Sequence, residues 1–239
     1  MLFRFCQKLF YKITDYFNIN PIEENLYVVP LYDSLIDFQT YRLIMSSTGL
    51  EFNELTENPS FITNTDGILN VNEHVLFTDK ARLHFKNKIG HCISLNCEVK
   101  EIIKKRSYIK INNENYDFVI NATWGHFNTS EYKRIFEPTI LLYYNNISGI
   151  KYPAITLVDG PLCSIYPTEN EQIYTLSSVI HTPLGQYDTS QAAIELINSV
   201  DKSIVDDKIK SMESHILKYV DNFKDCFSFV EPQLSIKTK

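Results

Sequence analysis

The sequence predicts an α+β fold, with a remnant of an α/β protein as the alternative, on three observations. Four β-rich runs follow one another at short intervals between residues 139 and 180. Strands and helices do not alternate regularly along the chain. After residue 190 the apolar period changes from two to that of a helix. No tract rich in Gly, Pro or Ser divides these blocks, and there is neither a repeat nor a low-complexity segment.

From the N-terminus, Leu2, Cys6, Leu9, Ile13 and Phe17 recur at helical spacing and predict an amphipathic helix docked on a core. Leu26–Tyr32 is a short β-rich stretch whose Pro30 marks a strand end or edge. A second helix is expected from Ser34, capped with Asp37, to Gly49, with Phe38, Tyr41, Met45 and Thr48 on its inner face. Residues 51–72 read as polar and irregular. Thr78 and Asp79 open a helix to about Ile89, ended by Gly90. Ile93, Leu95, Cys97 and Val99 then alternate as one face of a strand. Two more strands, Tyr108–Asn112 and Tyr116–Asn121, complete a meander, the last apolar on both faces and so buried. The runs Ile140–Tyr144, Ala154–Val158, Leu162–Tyr166 and Ile173–Ile180 suit antiparallel hairpins. Ala192 to Phe223 follows helical spacing as one or two helices, before a last strand near Cys226–Ile236.

Composition removes several function classes. With 23 basic against 29 acidic residues among 239 and a pI near 5.5, no global field draws the chain to nucleic acid. No apolar run approaches the roughly 20 residues that span a bilayer, and Arg4, Lys8 and Lys12 interrupt the N-terminal stretch where a signal peptide would be continuous. Five cysteines without a CxxC suit a reducing, cytoplasmic setting. His91, Cys92 and Cys97 lack the second ligand pair of a closed zinc site, so no metal is expected. All seven glycines stand alone. A backbone that wraps a pyrophosphate needs them clustered, as in GxGxxG, so the chain carries no glycine-rich dinucleotide loop of its own.

The most distinctive stretch is Tyr116-Asp117-Phe118-Val119-Ile120-Asn121-Ala122-Thr123-Trp124-Gly125, an apolar strand ending in small polar residues and glycine, where open sheets accept ligands. It resembles the strand and turn before the substrate lobe in FAD-dependent oxidoreductases of the D-amino-acid oxidase and glycine oxidase class. Asp159-Gly160-Pro161, Ser164-Ile165-Tyr166-Pro167, Tyr174-Thr175-Leu176 and His181-Thr182-Pro183 follow in the order of that class's substrate lobe. The Glu73–Ile89 helix and the Glu98-Val99 strand extend the likeness upstream.

The resemblance implies an antiparallel substrate-lobe sheet with flanking helices plus a partial FAD-domain β-meander. It divides the chain into residues 1–72 and 126–239 of the substrate lobe, with 73–125 from the FAD-binding domain. It implies FAD as cofactor, bound weakly or not at all by this chain alone, and oxidation of a C–N or C–O bond of a small polar substrate. Val99 would lie beside the adenine end of the cofactor, Ala122, Thr123 and Trp124 near the flavin crevice, and Tyr166 and His181 toward the substrate, where an imidazole suits proton transfer. Relative to the class, the opening GxGxxG unit and the closing flavin segment are missing, so the resemblance implies the middle of such an enzyme: a truncated frame, a fragment, or a split gene product whose partner chain supplies the FAD-binding unit. Two readings compete with this one. One is a non-catalytic interaction module derived from the substrate lobe. The other is a hydrolase pairing Cys163 or Ser164 with His181 and Asp159, although no GxSxG elbow surrounds them.

Overall fold

The computed structural model describes residues 20–75, 77–123 and 133–239. Within them an eight-stranded sheet runs in the order β13-β9-β12-β11-β10-β2-β4-β3. Its strands are β2 (Asn25–Pro30), β3 (Phe52–Glu54), β4 (Thr65–Val71), β9 (Phe136–Asn146), β10 (Ala154–Leu157), β11 (Cys163–Pro167), β12 (Ile173–Ser178) and β13 (Phe227–Thr238). All neighbours are antiparallel except β10 and β2, which pair in parallel from Ala154↔Asn25 to Leu157↔Val28. Two small sheets complete the strands: β1 (Asn20–Pro21) with β5 (His74–Val75), and a three-stranded meander of β6 (Ile102–Lys104), β7 (Ile109–Ile111) and β8 (Glu114–Tyr116). The expected α+β class holds, with a mainly antiparallel sheet and a separate meander.

Strand alternation gives the large sheet two unlike faces. Leu26, Val28, Ile68, Ile140, Leu142, Ile155, Ile165 and Leu176 point to one side and build the main core. There α3 (Ser190–Ser199) and α4 (Lys202–Ile216) cover the sheet, α4 burying Met212, His215 and Ile216. A ring cluster closes this core: Phe227 lies 4.8 Å from Tyr152, 5.2 Å from Tyr174 and 5.1 Å from Phe223, which follows on the short α5 (Phe223–Cys226). On the opposite side Val29, Leu69, Val71 and Val158 meet Phe38 and Met45 of α1 (Phe38–Thr48). The middle of that face, across β10, β11 and β12, carries Thr156, Ser164, Tyr166, Thr175 and Ser177.

Helix α1 starts four residues later than expected. Asp37 alone is its N-cap, accepting from Thr40 N at 2.7 Å, while Ser34 is held by Asp159. Gly49 ends it in the left-handed conformation, as expected. Helix α2 (Thr78–Ile89) has the expected bounds but not the expected cap. Its N-cap residue, Phe77, offers no side-chain oxygen; instead Glu169, from the β11–β12 connection, accepts from Asp79 N at 2.6 Å and Thr78 Oγ1 at 3.3 Å. Glu169→Ala is expected to cost at most about 1 kcal/mol globally, because the bonds are exposed, while hydrogen exchange of the first turn of α2 accelerates selectively.

Three expectations for strands change. Residues 51–72 are not irregular, since β4 lies inside the sheet between β2 and β3. Ile93–Val99 forms no strand; Leu95 and Asn96 make a turn, with Asn96 at φ 58°. The last meander strand is Glu114–Tyr116 rather than Tyr116–Asn121, and Phe118 and Ile120 beyond it are 91% and 90% exposed rather than buried. Pro30 is the last residue of β2, a strand end as expected, on a strand inside the sheet. The amphipathic helix expected over Leu2–Phe17 lies outside the described residues.

Candidate functional site

The uncovered part of the second sheet face is built by strand register. Tyr27, Thr156, Ser164 and Ser177 stand side by side across β2, β10, β11 and β12, and Tyr166, Thr175 and Tyr143 form the next row across β11, β12 and β9. Each of these residues is half-buried. Ser164 Oγ and Ser177 Oγ are 2.9 Å apart, and Tyr143 donates to Gln233 Oε1 at 2.6 Å.

Glu73, just after β4, is the charged centre at the α1 side of this face. Its carboxylate accepts from Tyr27 Oη at 2.7 Å, from Tyr166 Oη at 2.7 Å and from the Asn25 side-chain amide. Asn25 is fully buried and its Oδ1 has no hydrogen-bond partner. Burial first, then the hydrogen bond to Glu73 and its charge, push the phenols of Tyr27 and Tyr166 well above the ordinary tyrosine range. Tyr41 of α1 is pushed up to about 12 by burial, Asp159 and Glu73. Asp159 also pins the loop before α1, accepting from Ser34 Oγ at 2.8 Å, Leu35 N at 2.9 Å and Ile36 N at 2.7 Å.

His181 lies on the other side of the sheet from Tyr166, at the joint with α4. Its ring stands edge-on to that of His215 at 5.8 Å. His215 is buried and bonds Ser178 through Nδ1 at 3.0 Å, and Lys208 Nζ donates to the His181 carbonyl at 2.6 Å. Burial first lowers both imidazoles; Lys208 and Lys218 add to this at His181, and His181 and Lys218 at His215, against an opposing pull from Asp33. A lowered imidazole contributes stability that is complete above its unfolded pKa of about 6.5 and is lost as pH falls through the folded value. Denaturant midpoints are therefore expected to fall from about pH 6.5 downward, with a shallower pH slope in His215→Gln.

The hydrolase constellation is dispersed. Cys163 is buried with its thiol pushed up to about 12 by burial, Ser164 faces away from His181, and Asp159 is engaged with the 34–36 loop. Among the described residues no three His, Cys, Asp or Glu side chains converge as a metal site.

The segment from α2 to Thr123 has a different character. None of its residues is buried. Leu83, Phe85, Ile89, Leu95, Phe118 and Ile120 are all exposed, an unusual number of uncovered apolar side chains for one short segment. Val99 is half-exposed in a loop whose flanks are bridged by Asn112, which accepts from Lys100 N and donates to Glu98 O, both at 2.9 Å. Ala122 and Thr123 are exposed just past the meander, with Thr123 Oγ1 donating to Asn121 Oδ1 at 2.7 Å. Trp124 lies outside the described residues. The structure thus brings Tyr166 together with Glu73, Tyr27 and Asn25, places His181 with His215, and leaves Val99, Ala122 and Thr123 in the separate segment.

Whether the described residues can hold an FAD pyrophosphate is decided by their helix N-termini, the natural anion sites of such folds. All four helices of eight or more residues start under a side-chain oxygen of the chain itself: Asp37 for α1, Glu169 for α2, Thr189 for α3 and Asp201 for α4. Three of these are carboxylates, which repel phosphate. The described residues do not fit that part of the cofactor.

Sequence reasoning missed Asn25, Tyr27 and Glu73. Alternation of Tyr27 with Leu26 and Val28 was the one local signal that it faces away from the main core. Glu73 had none, since its partners are 46, 48 and 93 residues distant, and the stretch expected to be a Glu73–Ile89 helix begins helical only at Thr78.

No protein-family model matches the sequence. The chain is 42% identical over 215 residues to the FAD-dependent monooxygenase FPY4 of Fusarium mangiferae, covering 90% of this chain and 58% of that protein. The chain therefore spans little more than half the length of the curated relative it matches. The fold is similar to that of L-proline dehydrogenase from P. horikoshii, with a TM-score of 0.67 at 12% identity, over 98% of this chain and 65% of the dehydrogenase. The chain is thus similar to an FAD-dependent oxidoreductase over the part that it spans, as the sequence resemblance implied. Among the described residues no helix is long and apolar enough to cross a membrane.

Proposed function

We propose that this chain supplies the substrate-binding part of an FAD-dependent oxidoreductase that acts on a C–N or C–O bond of a small polar substrate. The observation that carries the reading is the pairing of a relative named as an FAD-dependent monooxygenase with an open, hydroxyl-lined sheet face centred on Glu73. Bound flavin would supply the hydride acceptor; the chain's own residues bind and orient the substrate. In this reading Tyr166 and its neighbours contact the substrate, and His181 serves to hold the sheet against α4.

Residues 73–125 are the part of the FAD-binding domain that this chain contributes, and 1–72 and 126–239 are the substrate lobe. Val99, Ala122, Thr123 and Trp124 belong to the cofactor side. The pyrophosphate is held by residues other than those described, on a unit that covers Phe118, Ile120 and the exposed side of α2. Such a unit would sit in the cytoplasm with this chain, in keeping with the unpaired Cys92, Cys97, Cys163 and Cys226. The relative's redox name favours this reading over an interaction module.

The test is a chimera in which the residues of FPY4 that this chain does not span are joined to it. It is expected to purify yellow with bound FAD and to reduce that flavin when given substrate. A well-folded chimera that stays colourless overturns the redox reading.

A further inference from the structure

The two edges of the large sheet are unlike. β3 is three residues long, whereas β13 runs for twelve, and among the described residues no strand pairs with its outer side. Lys239 and Ile135 exchange both backbone bonds, at 2.9 and 3.0 Å. The bonding direction alternates along an antiparallel strand, so Lys237, Ser235, Gln233 and Glu231 also turn toward β9, while Ile236, Leu234 and Pro232 turn outward. Pro232 therefore stands where its missing N–H takes nothing from the sheet. The N–H groups of Leu234 and Ile236 and the carbonyls of Pro232, Leu234 and Ile236 form an open ladder that another strand completes.

Two exposed charges flank this ladder, Glu231 and Lys237, each three residues from Leu234. The ion pairs of the described residues involve neither of them. Lys237 acts on Glu137 across the ladder, but that carboxylate already holds Lys239 Nζ at 2.7 Å and Gln186 Nε2 at 3.1 Å. Charges on an edge strand ordinarily guard it against pairing. These two are opposite in sign and symmetric about Leu234, so a two-fold axis there sets Glu231 of each chain opposite Lys237 of the other. They meet as a non-hydrogen-bonded pair, the kind whose side chains stand closest. The neighbouring registers lack this match: an axis at Gln233 opposes Glu231 to Ser235, and one at Ser235 opposes it to Lys239, which Glu137 holds.

We propose that β13 is a self-complementary docking edge, to which a second copy of this chain adds its own β13 antiparallel, centred on Leu234. Leu234 exchanges both backbone bonds with Leu234 of the second copy, Ile236 N–H donates to the Pro232 carbonyl across the axis, and the Glu231–Lys237 pairs close the seam. The two eight-stranded sheets become one. Because the contact is isologous it consumes the edge and stops at a dimer. Residues opposite each other in a ladder share a face, so both open faces look the same way. The contact is smaller than the roughly 1,200 Å² of a stable interface, and the dimer is accordingly weak, with a Kd on the order of 100 µM.

The test is sedimentation equilibrium of the full chain from about 10 µM to about 1 mM, a range that brackets such a constant. The wild-type chain is expected to pass from monomer to dimer. Glu231→Lys sets like charges opposite each other at both ends of the seam and is expected to weaken the dimer at least about tenfold, as is Lys237→Glu. An equimolar mixture of these two variants has opposite charges at both pairs again and is expected to dimerise as the wild type does. Should Lys237→Glu not fold, for want of its charge near Glu137, Ile236→Pro takes its place. That change removes an outward N–H without touching the β9 ladder and is expected to abolish the dimer. A wild-type chain that stays monomeric throughout overturns the proposal, and so does a mixture of folded variants that does not dimerise. Self-association that Glu231→Lys leaves unchanged also overturns it, by placing the contact elsewhere, such as on the exposed Leu83 and Phe85 of α2.

Discussion

Gly160→Ala is expected to destabilise the chain by about 3 kcal/mol, at the upper end of what overpacking or a disallowed backbone conformation costs alone. Gly160 has φ 128°, outside the region any L side chain adopts comfortably, and an added Cβ would lie 2.3 Å from the Asp33 carbonyl oxygen. That oxygen cannot retreat easily. The loop that carries it is fastened to Asp159 by Ser34, Leu35 and Ile36, and Asp33 accepts in turn from the Tyr219 hydroxyl. Relief of the clash therefore requires breaking the clamp that sets the entry of α1 onto the sheet. Gly149→Ala is the control: φ is 75° there but nothing lies within 4 Å of the added carbon, so only the local left-handed cost of about 1 kcal/mol applies. Denaturant titration of both variants checks the difference; equal midpoints would show that the Asp33–Gly160 approach is not tight.

Glu73→Ala is expected to be the second large loss, about 2–4 kcal/mol. It orphans three donors at once, and each costs on the order of 1–3 kcal/mol when buried, reduced here because the two tyrosines are half-buried. A double-mutant cycle separates the network from generic damage. Tyr166→Phe should cost about 1 kcal/mol in the wild-type chain and almost nothing beside Glu73→Ala, because its hydroxyl has then already lost its acceptor. The alkaline limb should change with it. A phenol raised in the fold contributes stability that is complete below the unfolded value of about 10 and is lost as pH rises through the folded value. Tyr27 and Tyr166 are therefore expected to ionise only as the chain unfolds, and in Glu73→Ala at lower pH.

Local physics made much of the fold legible in the sequence. Phe38 and Met45 of α1, the helical spacing through Met212, Ile216, Val220 and Phe223, and the hairpins of β10 to β12 are each read from side chains close in sequence, and all lie in the cores where that spacing puts them. Long-range pairing was not legible. β4 carries only Ile68, Leu69 and Val71 as apolar residues, broken by Asn70, and becomes a strand because β2 and β3 flank it. The converse holds for Ile93–Val99 and Phe118–Ile120: their patterns are those of strands, but among the described residues neither has a neighbour to pair with, so pattern alone does not make them ladders. The split of Ala192–Phe223 into helices comes at Val200, where Asp201 caps a new start by accepting from Ile204 N at 3.0 Å.

The same division applies to the site. Tyr166 could be nominated from its motif, but its meaning comes from Glu73, which lies 93 residues away in sequence. His181 could be nominated as an imidazole beside a strand; the β12 register decides that its neighbourhood is the α4 side of the sheet, with Ser178 and His215. The absence of a glycine-rich loop was readable from seven isolated glycines. That the described helix N-termini are already occupied, three of them by carboxylates, needed the structure.

The most direct measurement is the flavin content of the purified chain after saturation with FAD and removal of the excess. A chain whose described residues give no seat to the pyrophosphate should retain well under a tenth of an equivalent, an order-of-magnitude expectation for binding without the phosphate contacts. Retention of one FAD per chain would contradict the assignment of the pyrophosphate site to another unit, and with it the division of labour on which the proposed function stands.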